Sequence, residues 1–558
     1  MKKWYWYVIL AVITLTVYIL PIGGRPMLNP DESRYAEVPR EMIETGNYVS
    51  PRLNGVRYFE KTPLSYWCFA ASFKLFGMNR FALRLPCMLA MLGTAWIVFL
   101  LMSHYYERRT ALLGTGIFAT LPFVYVLGTV AITDMFLTFF VTAAMAAYFF
   151  AVQNQVSVPR RCGLLFLCGI FCGLAFLTKG FIAFAVPVVT IVPYLLWERK
   201  WKLLFTTPWL PLLGAVLTVL PWGLAIHQQE PDFWHYFFFV EHINRFFGQE
   251  KAQHSNHFFY FFPVFIGGIA PWVLMVPNIC RTLYRQVKNS SLLKFCCCAV
   301  VLPFLFFSCS SGKLATYILP CFAPASILFA AALEKFFVEE KRERAFHLTL
   351  LVLAIGFPGT AVVMTVNALT GFPQPLFLAE DWRLLLLLAV VALMCMLVLY
   401  LAWGAKTSYT KLFLFLVSML PVLIGTNCIF PSIVREKKAP ICFLEEAAKR
   451  LPKENLVIVT SPRPFQDVCW SFRSSKVKLF AGRNEIAYGL SYPEAQDQFI
   501  QNMDELKALY QKVKQENKTL VLVSKIKELP HLKANLPEPR KVETSWPGHK
   551  DGFAILQY

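Results

Sequence analysis

The sequence predicts a polytopic α-helical membrane protein that ends in a small α/β domain. Three observations carry that expectation. Apolar runs of roughly 18 to 24 residues recur up to about residue 430, each long enough to cross a bilayer's hydrocarbon core as a helix. Of the 558 residues, 56% are hydrophobic and only 16% charged, with a mean hydropathy of +0.50. A soluble chain of this length would divide into several domains with more charge. Beyond residue 430 the apolar runs stop, and short β-like runs alternate with polar helical segments.

The expected spans are 4–22, 81–103, 110–128, 132–152, 162–178, 180–197, 203–226, 258–279, 292–310, 314–334, 346–367, 383–404 and 409–429, about thirteen in all. The first has a basic start and a long apolar core but no small-residue cleavage site after it, so it reads as a retained span. Basic short loops set the orientation: Lys2-Lys3, Arg108-Arg109, Arg160-Arg161, 198–202, Arg281 to Lys288, 341–344 and Lys406 with Lys411. All fall on the cytoplasmic side if 62–77 is not a span. That segment is therefore expected to lie along the outer surface as an amphipathic helix, with Lys74 at the headgroups. The domains read as 1–430, a transmembrane unit with outer loops 29–80 and 227–257, and 431–558, a soluble α/β unit on the same outer side.

The tail has β-like runs at 456–460, 476–480, 519–524 and 554–558, with helical segments at 441–450 and 493–513. It carries no GxGxxG and no Walker loop, and reads as a structural or docking cap. The formal charge of +20 is partly the loop bias of a membrane protein; the remainder suits anionic lipids or phosphate-bearing substrates. Basic residues are scattered without stacking platforms, which argues against nucleic acid. Most of the 15 cysteines lie in apolar spans and act as small hydrophobes; Cys442 and Cys469 could pair in an outer tail.

The polar stretch 29–63 is the most informative. Asn29 can cap a helix that Pro30, Asp31 and Glu32 suit by charge and shape. On a helix Asp31, Tyr35 and Val38 share one face, so the acid sides with the apolar stripe. Arg34, three residues on, is placed to hold a carboxylate or a phosphate oxygen. Pro39 should kink or end this helix, and Gly46 can close its last turn. Tyr58, Glu60 and Lys61 end the stretch. Lys61 either snorkels to water or serves as a point charge for a lipid phosphate. Lys179 poses the same choice. Asp134 opens a span, where it either caps the helix or takes part in chemistry.

In the 227–257 loop, Glu241 and Arg245 stand four apart and can pair on a helix face. The loop also holds His227, His235, His242, His254 and His257, without HExxH or comparable zinc spacing. A divalent metal is the one cofactor this reading admits. Lys313 and Tyr317 would likewise share a helix face at the outer boundary.

At PDESRYAEVPREM, RYFEKTPLSYW and SSGKLATYILPCFAP the chain resembles the bacterial 4-amino-4-deoxy-L-arabinose lipid A transferases, which belong with the protein O-mannosyltransferases to the GT-C class of glycosyltransferases. The resemblance implies a GT-C fold with thirteen spans and a periplasmic tail in the bacterial inner membrane. It implies transfer of the aminosugar from undecaprenyl phosphate to a phosphate of lipid A, with resistance to polymyxin and cationic antimicrobial peptides. It implies Asp31 and Asp134 as catalytic acids, and Lys61, Arg245 and Tyr317 as holders of the carrier phosphate. Arg34, Tyr35, Tyr58, Glu60, Lys179, Glu241 and Lys313 would line the pocket of a monomer. Two other readings stand beside this one: a carrier-dependent transferase of another sugar or acceptor, protein hydroxyls included, and a lipid-linked sugar flippase. Against the flippase, the spans show no repeated Gly/Pro-broken halves, and the polar residues gather on one face.

Overall fold

The computed structural model describes residues 4–154, 156–244, 256–372, 374–452 and 454–558. Among them, nine helices are long and apolar enough to cross a membrane. Two bent pairs add to these: Arg108–Thr120 (α5) with Pro122–Gly128 (α6) at 64°, and Phe258–Gly268 with Trp272–Asn289 at 100°. Val8–Gly23 and Ile182–Trp197 are shorter apolar helices. Each expected span falls on one of these segments. The first bend has a cause in the sequence: Pro122 holds Leu121 before it in an extended conformation.

Between the first apolar helix and Arg80–Tyr105 (α4) lie two short helices, Asp31–Thr45 (α2) and Leu64–Phe76 (α3). At 13 residues, α3 is about 20 Å long, too short to cross the hydrocarbon core. Its Lys74 sits over the ring of Tyr48 at 5.0 Å. A hairpin of β1 (Arg52–Leu53) and β2 (Val56–Arg57) joins α2 to α3.

Helix α2 departs from expectation in three ways. Pro30, not Asn29, occupies the cap position; the Asn29 amide turns instead to Asp467 and to the carbonyl of Arg463. Pro39 does not end the helix, which runs on to Thr45 and closes at Gly46 with φ 70°. Proline removes one backbone donor, and Arg40, paired with Glu37 and Glu44, holds the turns around the gap. Asp31 is exposed while Tyr35 and Val38 are buried: as the first residue of the helix it stands at the open end.

The tail forms a six-stranded sheet in the order β5-β4-β3-β6-β8-β7. The strands are β3 (Leu456–Thr460), β4 (Lys478–Phe480), β5 (Phe499–Ile500), β6 (Thr519–Lys525), β7 (Lys541–Thr544) and β8 (Phe553–Gln557). The first four are parallel neighbours, and β8 and β7 complete the sheet antiparallel. β5, of two residues, is too short to stand out in the sequence, and β7 is short and polar. The sheet domain docks on the first loop. Ser33 donates to Asp467 at 2.5 Å, Arg40 to Ser475 at 2.9 Å, and Asn54 to the carbonyl of Val477 at 2.6 Å. Gly489 lies so close to Arg57 that a Cβ there would stand 2.3 Å from its carbonyl oxygen. Cys442 and Cys469 do not pair; both are free. Cys442 lies against Arg80 and Cys469 against Asn54.

Candidate active site

The site forms where the first loop, the ends of two spans and the tail domain meet. Its foundation is Glu32, fully buried at the start of α2. Its carboxylate accepts from Arg84, Arg25 and the backbone amides of Leu28 and Ala131. Burial alone would raise its pKa, but Arg84 and Arg25 outweigh that and hold it at about 2. This network fixes the helix start, and with it the position of the next acid outward.

That acid is Asp31, 56% exposed at its side chain and bound to Arg34 at 2.5 Å. Arg34 also reaches Glu485 of the tail at 2.6 Å. Burial would lower the Arg34 guanidinium; Tyr58, Glu485, Tyr35 and Asp31 overcome this and push it well above its ordinary value. The Arg34 Nε is buried without a partner among the described residues. The charges of both Lys61 and Asp31 act on Tyr35. Tyr58 donates to Glu60 at 3.0 Å. Burial raises the Glu60 carboxyl, with Lys61 opposing and Glu241 adding to the rise. Lys61 pairs with Glu241 at 3.0 Å and donates to the carbonyl of Glu60.

A second cluster adjoins this one. Asp134 begins Thr133–Ala151 (α7), and Lys179 ends Val158–Lys179 (α8). The two pair at 2.6 Å, and the ammonium of Lys179 lies 4.8 Å from the centre of the Tyr317 ring. Lys179 therefore does not simply snorkel to water, since the buried carboxylate of Asp134 is at hand. Thr62, next to Lys61, donates to the carbonyl of Phe176 near the end of α8. Phe69 of α3 packs edge-on against Phe136 of α7. These contacts bind the two clusters to one end of the bundle.

Two expectations fail or fall outside. Lys313 and Tyr317 do not share a helix face: the helix there begins at Ala315 and is a 3₁₀ turn, in which residues four apart diverge. Lys313 is buried, its ammonium bonded to the carbonyls of Ser310 and Asn256. Arg245 lies outside the described residues, so its expected pairing with Glu241 does too. His254 lies outside them too. Among the described residues no three His, Cys, Asp or Glu side chains gather as a metal site requires. Sequence reasoning missed Glu485, which sits in a short turn, Asn484–Ile486, with no motif around it. Only its contact with Arg34 reveals it. It also missed how the tail packs here: Tyr488 lies on Tyr236 at 4.1 Å and near Phe59, while Arg57 bonds Glu230 and Glu494.

The arrangement is an exposed carboxylate flanked by a buried arginine, with two lysine–carboxylate pairs nearby. Such a group can attract a phosphate and offset charge that develops on a sugar.

Comparison with known proteins places this geometry in context. Residues 4–237 match the family model of dolichyl-phosphate-mannose-protein mannosyltransferases. Residues 435–546 match that of the arabinosyl transferase ArnT C-terminal domain. The undecaprenyl phosphate-alpha-4-amino-4-deoxy-L-arabinose arabinosyl transferase of Shewanella sediminis is 34% identical over 96% of this chain and 95% of its own length. The enzyme of the same name from Erwinia tasmaniensis is 36% identical over 87% of each. The crystal structure of ArnT from Cupriavidus metallidurans bound to undecaprenyl phosphate superposes with a TM-score of 0.84 at 22% identity, covering 100% of this chain and 98% of that one. Its apo form gives 0.82 at 21%, covering 99% and 98%. The fold is that of the GT-C polytopic transferases.

Proposed function

The chain belongs to the undecaprenyl phosphate-α-4-amino-4-deoxy-L-arabinose arabinosyl transferase family, and on that premise we propose how its site performs the transfer. The enzyme is a polyprenyl-phosphate-dependent glycosyltransferase. It moves the aminosugar from undecaprenyl phosphate to a phosphate of lipid A at the periplasmic face of the inner membrane, working as a monomer. Parity supports that side: the basic short loops gather at the opposite ends of the spans. The added amine offsets negative charge on lipid A and so weakens the hold of polymyxin and cationic antimicrobial peptides.

The observation that carries the reading is the open carboxylate of Asp31, fixed at the helix start, beside Arg34 and within the same electrostatic neighbourhood as Lys61. In the reaction, the bond from the anomeric carbon to the carrier phosphate oxygen breaks as a new bond forms to an acceptor phosphate oxygen. The carrier leaves as undecaprenyl phosphate, and the configuration inverts without a covalent enzyme intermediate. Negative charge grows on the departing phosphate, where Lys61, with Lys179 and Tyr317 beside it, offsets it in a water-poor place. Both lysines are held by carboxylates that a phosphate can replace. Arg245 is assigned to the same phosphate. Positive charge grows at the anomeric carbon, and Asp31 favours it, as carboxylates do in glycoside cleavage. The acceptor phosphate is largely ionised near neutral pH, so Asp31 orients it and removes little proton. Asp134 holds Lys179 in place. Tyr35, Tyr58, Glu60 and Glu241 shape the walls, and Lys313 braces the segment that carries Tyr317.

The test is Asp31→Asn in purified protein given carrier-linked sugar and lipid A. Transfer should be lost while carrier binding stays close to wild type. Equal loss of both overturns the role assigned to Asp31.

A further inference from the structure

A second charged cavity lies in the tail domain, apart from the site above. It measures about 170 Å³ and is lined by Lys437, Lys438, Arg463, Lys525, Lys527 and Lys550, with Asp551 as the one acid. Asp551 is spoken for by Lys437 at 2.9 Å. Arg463 follows the carboxyl end of β3, and Lys525 is the last residue of β6. From β3 the sheet runs one way to β4 and β5 and the other way to β6, so the cavity opens at the switch point of the sheet. Ligands of open α/β sheets bind in that crevice. Ser461, at the same strand end, has a buried hydroxyl without a partner among the described residues. Burial lowers the Lys525 ammonium, and Arg463 and Lys527 lower it further. An anion would relieve that crowding.

The cavity's place is equally informative. The carbonyl of Lys438 accepts from the Asn29 backbone, and that of Arg463 from its side chain, two residues before Asp31. Lys437 and Lys438 end a short helix, Ser432–Lys438, that starts four residues after the last apolar segment, Ser408–Cys428. Over so few residues the chain cannot rise far above the lipid headgroups.

We propose that this cavity binds a phosphate group carried by a lipid, and that the lipid is the acceptor, held by the phosphate that does not react. The second half rests on the reading of the acceptor as lipid A. Arginine and lysine in a preformed crevice suit a phosphomonoester dianion.

Two measurements on the full-length protein in detergent separate the parts. The first is thermal unfolding in inorganic phosphate against sodium chloride of equal ionic strength. Wild type should gain several degrees in phosphate, Lys525→Arg/Lys527→Arg should keep the gain, and Lys525→Gln/Lys527→Gln should lose it. No phosphate-specific gain in wild type overturns the site. The second compares transfer to lipid A bearing two phosphates with transfer to its one-phosphate form. The glutamine variant should raise KM for the two-phosphate acceptor about tenfold, with kcat within about twofold and little change for the other. Equal losses with both acceptors overturn the acceptor assignment, as does an unchanged KM with weakened binding to phosphatidylglycerol nanodiscs, which would make the ligand a phospholipid headgroup. If wild type transfers sugar to neither acceptor, the proposed function fails while the unfolding measurement still reads the cavity.

Discussion

Asp31 and Glu32 are neighbours on one helix and have opposite fates. Glu32 is buried and accepts from two arginines and two backbone amides. Asp31 is more than half exposed and held by one arginine. A carboxylate with every lone pair occupied stabilises a fold and has nothing left for a substrate. One with free lone pairs, anchored by a saturated neighbour, can meet a reacting group without moving. The pair divides the work of the first loop between holding and reacting.

Four experiments would break or sharpen that contrast. The largest effect is expected from Glu32→Ala, which leaves Arg84 and Arg25 buried without a counter-charge. Removing one partner of a buried ion pair costs ~3–5 kcal/mol, so thermal unfolding should fall sharply or folded protein fail to appear. Asp31→Ala should shift the same unfolding by less than ~1 kcal/mol, since the Asp31 carboxylate is exposed and Arg34 keeps Glu485 as a counter-charge. If both variants unfold alike, the contrast is false.

Activity reverses the order. Asp31→Asn should lower the transfer rate by at least about 100-fold, near ~2.7 kcal/mol of barrier, in a steady-state assay with intact carrier binding.

A third test uses Asp467, buried where the tail meets Asn29 and Ser33. Burial raises its carboxyl to about 7, against the pull of those hydrogen bonds. A carboxyl with a raised native pKa holds its proton longer when folded, so its contribution to stability is present at low pH and is lost as pH rises from about 4 to about 7. Unfolding followed across that window should show stability falling by ~4 kcal/mol as pH rises, three pH units at ~1.4 kcal/mol each. Asp467→Asn should flatten the profile; an unchanged slope removes Asp467 as its source.

The smallest effect concerns the contact the tail makes with Arg34. Glu485→Gln should slow transfer about tenfold, near ~1.4 kcal/mol, with unfolding little changed. No loss would make the contact incidental.

Much of the transmembrane architecture was legible, because each apolar run must satisfy its backbone within a helix and so declares its length. Helix α3 was legible from loop charge and parity, whereas the two-residue strands of the hairpin before it were not expected. The roles of Asp31 and Glu32 were not separable: both suit a helix start, and helical phase alone puts Asp31 on the buried side. Exposure there depends on where the helix begins, and that is set by Glu32 and arginines from other segments. Lys313 and Tyr317 misled for a related reason, since a spacing of four means one thing in an α-helix and another in a 3₁₀ turn. Glu485 was illegible because its contact with Arg34 depends on a domain packing that no local pattern encodes.

The contact between Ser33 and Asp467 spans 434 residues of chain, and it sets a timetable. The segment bearing Asp31 emerges early in synthesis, long before the turn bearing Glu485 exists. The tail can therefore dock only on a first loop already in place, and the surroundings of Arg34 are complete only once the last quarter of the chain has been made.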